Sequence, residues 1–189
     1  GITEGWFKGR AFGKRIRVPF PWQSPLSGVE SPDYQGVAWY ERDVTIPTDL
    51  PYPRLFLVFG AVDHIATVWI DGKKAAEHEG GYTPFEVELT NLVKPGGTVR
   101  VTVRAFDVTD AEAPTGKQTG WYTPTGGIWQ TVYLESRGNS CNQQAQAHPD
   151  IDKEQVVFDG VVEAATDGPY EVAATVAGKR VVLIDDSIV

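Results

Sequence analysis

The amino-acid sequence predicts an all-β protein whose first part is a sandwich of two antiparallel sheets. Hydrophobic residues recur with a period of two through nearly all of residues 1–137, which is the pattern of strands with one buried face. Turns rich in Gly, Pro, Asn and Asp separate these segments at short, regular intervals, as in β-sandwiches. Spacing alone does not select the topology, and a jelly roll is one of the sandwiches that fit.

Individual segments support this interpretation. TVRVTVRAF, which begins at Thr98, alternates apolar side chains with Arg and Thr, and PFEVELT alternates in the same way. RLFLVFGAV is apolar almost throughout, so we expect a central strand that is covered on both faces. Asp71-Gly72 lies between TVWI and KAAEHE and suits a tight hairpin turn in which both central residues have positive φ. Pro47 cannot donate to a ladder and should end the strand VAWYERDVTI.

The segment from Gly126 to Glu135 is predicted to be two glycines followed by one strand. The glycines should supply positive φ or a close approach of the backbone. In the strand, Ile128, Val132 and Leu134 would share one face, while Trp129 and Tyr133 would pack on the other.

Charge and aromatic content predict two domains, residues 1–137 and residues 138–189. The first holds 14 basic and 16 acidic residues with all six Trp, while the second holds 3 basic and 9 acidic residues. The polar junction RGNSCNQQAQ fits a boundary. Only three further strands are predicted after it, EQVVFDGVVEAA, YEVAATVAG and KRVVLI, so the second domain should be incomplete.

Composition excludes several functions. A net charge of −8 argues against nucleic acid as a partner, since that binding depends on clustered Lys and Arg. No apolar run reaches the ~18 residues of a membrane span, and the first residues, GITEGWFKGR, do not form a signal peptide, so no membrane partner is expected. The compartment stays undetermined, with secreted and periplasmic locations both compatible. Cys141 is the single cysteine, and a lone thiol of this kind is usually inert.

Four segments, taken in order, resemble the N-terminal domain of glycoside hydrolase family 2, which contains β-galactosidases, β-glucuronidases and β-mannosidases. They are YQGVAWYERDVTIP (34–47), LVFGAVDHIATVWIDGKKAAEHEGGYTPFEVELT (57–90), PTGKQTGWYTP (114–124) and TGGIWQTVYLE (125–135). The resemblance implies a galactose-binding-like jelly roll, then an immunoglobulin-like domain, then a TIM barrel. Residues 138–189 would be the opening of the immunoglobulin-like domain.

The resemblance also implies that catalysis occurs elsewhere in the parent protein. Family members hydrolyse β-glycosides with retention, using two glutamates on the barrel about 5 Å apart. A barrel needs roughly 200 residues or more, and only 52 follow Arg137. We therefore expect no catalytic residues, no cofactor and no glycosidase activity in this chain alone.

The loop GKQTGWYTPT supplies the candidate site residues, Lys117, Gln118, Trp121 and Tyr122. Aromatic rings stack on sugar faces, and Lys and Gln pair with hydroxyl and carboxylate groups. These residues could bind carbohydrate or pack against the catalytic domain. In the family, an acidic residue about six positions before Gly127 reaches toward the substrate, and a count without a gap falls on Trp121. Either this protein contacts its substrate differently here, or the loop aligns with an offset.

No metal site is predicted. His64, His78 and His148 lack the close, regular spacing of zinc ligands. Asp107, Asp110 and Glu112 could suggest calcium, but a solvated acidic loop is the favoured interpretation.

Three functional hypotheses remain open. In the first, the chain is the non-catalytic N-terminal region of a family 2 hydrolase, with a TIM-barrel domain and a β-glycoside substrate as its partners. The alternative is a free-standing carbohydrate-binding module with an aromatic platform of Trp121 and Tyr122, joined by Trp22 or Tyr34. The third is a role in assembly as a homo-oligomer, because an incomplete domain leaves strand edges unpaired.

Overall fold

The structure is a computed structural model, and it describes residues 1–107, 124–166 and 171–183. The regular elements in these ranges are two short 3₁₀ turns, Trp6–Lys8 and Pro25–Ser27, and thirteen strands, which turns and loops connect. The strands are β1 (Val37–Thr45), β2 (Arg54–Phe59), β3 (Val62–Asp63), β4 (Ile65–Ile70), β5 (Lys73–Glu79), β6 (Phe85–Glu88), β7 (Thr98–Phe106), β8 (Gly127–Ile128), β9 (Val132–Arg137), β10 (Cys141–Asp150), β11 (Gln155–Glu163), β12 (Val172–Val176) and β13 (Lys179–Leu183). Within these ranges, no helix has the length and apolar character needed to cross a membrane.

The chain divides into two compact units, Gly1–Gly138 and Asn139–Val189. In the first unit a four-stranded sheet has the order β1-β7-β4-β5, a three-stranded sheet has the order β6-β2-β9, and β3 pairs with β8. All pairs are antiparallel, and most neighbours are far apart in sequence, as in a jelly roll. Apolar side chains from both large sheets form one core. The predicted all-β sandwich is confirmed.

The alternation of β7 and the burial of β2 explain how the core forms. Val99, Val101, Val103 and Ala105 of β7 all belong to the core and are at most 7% exposed. β2 is the middle strand of its sheet, and its last five residues are buried, as the sequence predicts.

The predicted hairpin turn is also confirmed. β4 and β5 pair through Ile70 and Lys73, and the two residues between them have φ of 47° at Asp71 and 78° at Gly72. The Asp71 carboxylate accepts a hydrogen bond from the backbone N–H of Arg100 at 2.8 Å, which ties the turn to β7.

The predicted strand from Ile128 to Glu135 is broken into two, which corrects the sequence analysis. β8 pairs with β3, whereas β9 pairs with β2 in another sheet. Between them the Trp129 indole donates to the backbone oxygen of Gly81 at 2.7 Å. Tyr133 is 46% exposed, so the predicted packing of this ring is wrong.

The N-terminal segment covers the face of the four-stranded sheet that points away from the core. Phe7 stacks on Trp69 with ring centroids 5.5 Å apart, and Trp69 stacks on Trp39 at 5.3 Å. Trp6 meets Trp39 edge to face at 5.8 Å. This aromatic layer holds residues 1–12 on the sandwich, and the strand patterns alone do not predict it.

The second unit contains two hairpins within the described residues. β10 pairs with β11, and β12 pairs with β13. Val156, Val157, Val161 and Val162 of β11 are 38–54% exposed.

Candidate functional site at the base of the loop 108–123

The predicted site residues Lys117, Gln118, Trp121 and Tyr122 lie outside the described residues, so their roles stay predictions. The structure does describe the residues that flank this segment on both sides. Asp107 follows β7, and Gly126 begins the approach to β8. We call the residues around these points, namely Trp22, Gln23, Tyr40, Asp107, Gly126 and Gly127, the loop base.

Two glycines are required at the loop base because the backbone there runs against large side chains. A Cβ on Gly126 would lie 2.8 Å from Asp107 Oδ2 and 2.9 Å from Cη2 of Trp22. A Cβ on Gly127 would lie 2.6 Å from Cε3 of Trp22 and would collide with the Tyr40 hydroxyl. Gly127 also has φ of 85°, a conformation that glycine adopts without strain. Both predicted roles, positive φ and close approach, are confirmed.

Hydrogen bonds fix the backbone on the C-terminal side of the loop. Gly126 N–H donates to the side-chain oxygen of Gln23 at 3.0 Å. The Gln23 amide donates in turn to the backbone oxygen of Tyr34 at 3.2 Å, and the Trp22 indole donates to the same oxygen at 3.0 Å. Gln23 is 5% exposed, so this chain of bonds is shielded from water and holds the loop end in one place.

Tyr40 supports the same backbone from inside the core. Its hydroxyl accepts a hydrogen bond from the N–H of Ile128 at 3.4 Å. Burial raises the pKa of Tyr40, and the bond from Ile128 opposes this in part. The hydroxyl therefore stays neutral and serves as a structural partner of the backbone.

Asp107 is the electrostatic exception at the loop base. Its side chain belongs to a residue that is only 7% exposed, and Oδ2 has no hydrogen-bond partner among the described residues. The pKa of Asp107 is raised to about 6, mainly by burial and also by the nearby Asp63 carboxylate, while His64 opposes the shift. The predicted solvated acidic loop is therefore wrong for Asp107, while Asp110 and Glu112 lie outside the described residues.

Asp63 and His64 stand beside this buried carboxyl. His64 Nδ1 lies 3.7 Å from Asp63 Oδ1, and His64 Nε2 lies 3.8 Å from a carboxylate oxygen of Glu79. Burial raises the pKa of Asp63, and His64 counteracts part of that rise. The part of the chain that the structure describes holds no group of three or more His, Cys, Asp or Glu side chains arranged for a metal ion. At this point the fold brings two carboxyl groups with raised pKa values, Asp63 and Asp107, close to the His64 ring.

The structure separates the remaining candidates. Trp22 is 3% exposed and belongs to the core, so its predicted place on an exposed platform is wrong. Tyr34 is 45% exposed. His78 stacks on Phe85 at 4.5 Å, and His148 Nε2 lies 3.2 Å from a carboxylate oxygen of Asp159 in the second unit.

The fold and the loop base define a β-sandwich domain in which Asp107 and Gly126, the described flanks of residues 108–123, lie beside buried side chains. Residues 3–137 match the family model described as glycosyl hydrolases family 2, sugar binding domain, and the chain belongs to this family.

Known relatives agree with this assignment. A β-glucuronidase of Bacteroides fragilis is 34% identical over 129 residues, which cover 68% of this chain and 18% of that protein. The human β-glucuronidase is 33% identical over 114 residues, covering 54% of this chain and 17% of the relative. The crystal structure of Ruminococcus gnavus β-glucuronidase shares the fold, with a TM-score of 0.70 at 21% identity over 87% of this chain and 31% of that one. The chain thus spans less than a fifth of the length of these curated relatives.

Proposed function

We propose that this chain is the non-catalytic N-terminal region of a family 2 glycoside hydrolase that acts on β-glycosides. Its sandwich supports the catalytic TIM barrel of the parent protein, and its loop 108–123 contributes to the rim of the carbohydrate site. Residues 1–137 form the sugar-binding-type domain, and residues 138–189 begin an immunoglobulin-like domain. The relatives named above are β-glucuronidases, which makes a β-glucuronide the first substrate to test.

The loop base is the observation that carries this proposal. A loop that contributes to a substrate site must leave its scaffold in a defined direction, because small displacements at a site are costly in rate. Here the two ends meet beside one buried ring, Trp22, and one end is held by the buried bond from Gly126 to Gln23.

The residues that would meet the substrate are the four candidates of the loop. Trp121 and Tyr122 offer flat faces for a sugar ring, while Lys117 and Gln118 offer donors to hydroxyl or carboxylate groups. Trp121 stands where family members carry an acid, so we propose stacking in place of a carboxylate contact at this position.

Kinetics of the intact parent enzyme test the proposal. Trp121→Ala should raise KM for a β-glycoside about tenfold, equivalent to the loss of ~1.4 kcal/mol of binding. Tyr52→Ala is the matched control, since Tyr52 is an exposed ring, 54% accessible, in another loop of the same unit. Unchanged kinetics in Trp121→Ala would contradict the role of the loop. Hydrolysis of a β-glucuronide by the isolated 189-residue chain would contradict its non-catalytic character.

A free-standing carbohydrate-binding module is the second candidate, and the exposed ring of Tyr34 favours it. Calorimetric titration of the chain with neutral and acidic β-linked oligosaccharides distinguishes the two. Binding that disappears in Trp121→Ala supports a module built on the loop, whereas a titration that Trp121→Ala leaves unchanged counts against such a module and favours the scaffold. A homo-oligomer is a further proposal, which light scattering on the chain tests.

A further inference from the structure

A cleft of about 370 Å³ opens along the free edge of β1. Three segments form its walls: residues 12–16, residues 29–34, and the start of β1 from Val37 to Tyr40. Its volume falls within the ~300–1,000 Å³ range of small-molecule sites. We call it the edge cleft.

Aromatic rings and free backbone groups line the edge cleft together. Phe12, Tyr34 and Trp39 contribute rings, and Trp22 and Tyr40 close its floor. The Tyr34 ring is fixed in place, because its hydroxyl donates to the backbone oxygen of Val37 at 2.6 Å and its edge meets Trp22 at 5.8 Å. A fixed and 45% exposed ring is a platform that loses little entropy when a ligand stacks on it.

The edge position of β1 adds hydrogen-bonding groups to these rings. Asp107 N–H bonds the oxygen of Gly36 at 2.9 Å, and the antiparallel register then pairs Ala38 with Ala105 and Trp39 with Arg104. Residues facing a neighbour alternate between bonded and unbonded pairs. The main-chain N–H and C=O of Trp39 therefore point to the open edge, where they can meet ligand hydroxyls.

The segment beside the edge cleft is positively charged, although the chain as a whole is negative. The chain carries a net charge of −8, yet residues 8–17 hold five basic residues and no acidic one. We call residues 8–17 the basic segment. Lys8 and Arg10 lie over the rings of Phe7 and Trp6, at 5.9 and 4.4 Å from their centroids.

Three cations of the basic segment remain available to a ligand. Lys14, Arg15 and Arg17 are exposed, and within the described ranges no carboxylate lies within ion-pair distance of them. Lys14 itself lines the edge cleft. An aromatic platform bordered by unpaired cations fits a ring with apolar C–H faces, hydroxyl groups and a negative charge.

We propose that the edge cleft binds an acidic saccharide, a pyranose unit carrying a carboxylate. The sugar stacks on Tyr34, its hydroxyls meet the main chain of Trp39, and its carboxylate pairs with Lys14. This site is built wholly from described residues outside the loop 108–123. It goes beyond the proposed function, because the sandwich can support a barrel whether or not the cleft is occupied.

Calorimetric titration of the 189-residue chain tests the proposal, with oligouronates and carboxyl-reduced oligosaccharides of the same length and linkage as probes. The acidic probes should bind at millimolar or tighter Kd, and the reduced probes more weakly. Tyr34→Ala should weaken binding about tenfold by removing the platform. Lys14→Gln should weaken binding of the acidic probe about two- to fivefold, as expected for an exposed ion pair, and leave the reduced probe unaffected. Added salt should reduce the difference between the two probes.

Matched variants separate binding from folding. Lys73→Gln removes the same charge from an exposed lysine on β5 and should change nothing. Tyr34→Phe keeps the stacking surface but removes the hydroxyl that fixes the ring, so its loss of affinity should be smaller than that of Tyr34→Ala. Thermal unfolding verifies that Tyr34→Ala is folded.

Three outcomes would overturn the proposal: no binding of any oligouronate, equal affinity for acidic and reduced probes, or affinity that survives both Tyr34→Ala and Lys14→Gln. Concentration-dependent dimers that Lys14→Gln abolishes would also overturn it, because the cleft would then be an interface between two copies. None of these results bears on the kinetics of the loop variant in the parent enzyme, so the two proposals can fail separately.

Discussion

Replacing the buried carboxyl at the loop base tests the electrostatics of the site directly. Burial raises the pKa of Asp107 to about 6, compared with about 3.9 for an aspartate in an unfolded chain. The folded state thus holds the proton more tightly than the unfolded state does. Stability from this group is fully present below about pH 4 and is lost as the pH rises through 6.

The size of the effect follows from the two pKa values. A difference of about two pKa units, at 1.36 kcal/mol per unit, corresponds to ~3 kcal/mol of unfolding free energy that disappears between about pH 4 and pH 7. Asp107→Asn removes the titration and keeps the shape of the side chain. Between about pH 4 and pH 7, the unfolding free energy of the variant should therefore fall by ~3 kcal/mol less than that of the parent chain. The new amide adds only an offset that does not change with pH.

Urea unfolding followed by tryptophan fluorescence measures this difference across the pH range. All six tryptophans precede Gly138, so the signal reports the first unit. Asp49→Asn is the matched control, because Asp49 is exposed and its replacement removes the same charge. Parallel pH profiles for the parent chain and Asp107→Asn would refute the argument that burial controls this carboxyl.

Other substitutions test the packing of the first unit by the same unfolding measurement. Gly127→Ala should lower the free energy of unfolding by about 2–4 kcal/mol, because it combines strained φ with overpacking. Gly28→Ala should lower it by only about 1–2 kcal/mol, because φ there is 78° but no atom lies within 4 Å of the new Cβ. Equal losses in the two variants would contradict the steric argument. Arg137→Ala should lower the free energy of unfolding by about 1–3 kcal/mol, because its guanidinium makes two hydrogen bonds to Glu86, the longer at 2.8 Å. If Glu86→Gln lowers it by the same amount, the lost stability comes from this pair. Phe7→Ala should lower the unfolding free energy by about 1–2 kcal/mol, because the stacked ring is only partly buried, and should release the N-terminal segment to proteases. An unchanged protease pattern would show that the stacked ring does not hold the segment.

The sandwich was predictable because the sequence patterns that indicate its strands and turns are local. Alternation in TVRVTVRAF reports one buried face, and Asp71-Gly72 reports a turn that needs positive φ, whatever the rest of the chain does. β2 was likewise predictable, since an apolar strand demands cover on both faces. These signals are complete within about ten residues each.

The errors occur where a distant segment decides the outcome. The pattern from Ile128 to Glu135 is continuous, yet β8 pairs with β3 and β9 with β2, and only the partners distinguish these assignments. Asp107 has the composition of a solvated turn, but Trp22 and Gly126 enclose it from far away in sequence. Trp22 itself has no strand pattern around it, so its burial could not be inferred from its neighbours in the chain.

The loop base also separates the residues that support the sandwich from the predicted site residues. The groups that fix the ends of the loop, including Trp22, Gln23 and Tyr40, belong to segments other than the loop. We therefore expect substitutions among the predicted site residues, Trp121 included, to leave these supporting groups in place. It follows that variants of Trp121 should alter substrate binding with little change in unfolding free energy, whereas variants of Gly127 should alter both. A Trp121→Ala variant that unfolds as readily as Gly127→Ala would show that stability and recognition are not separated in this way.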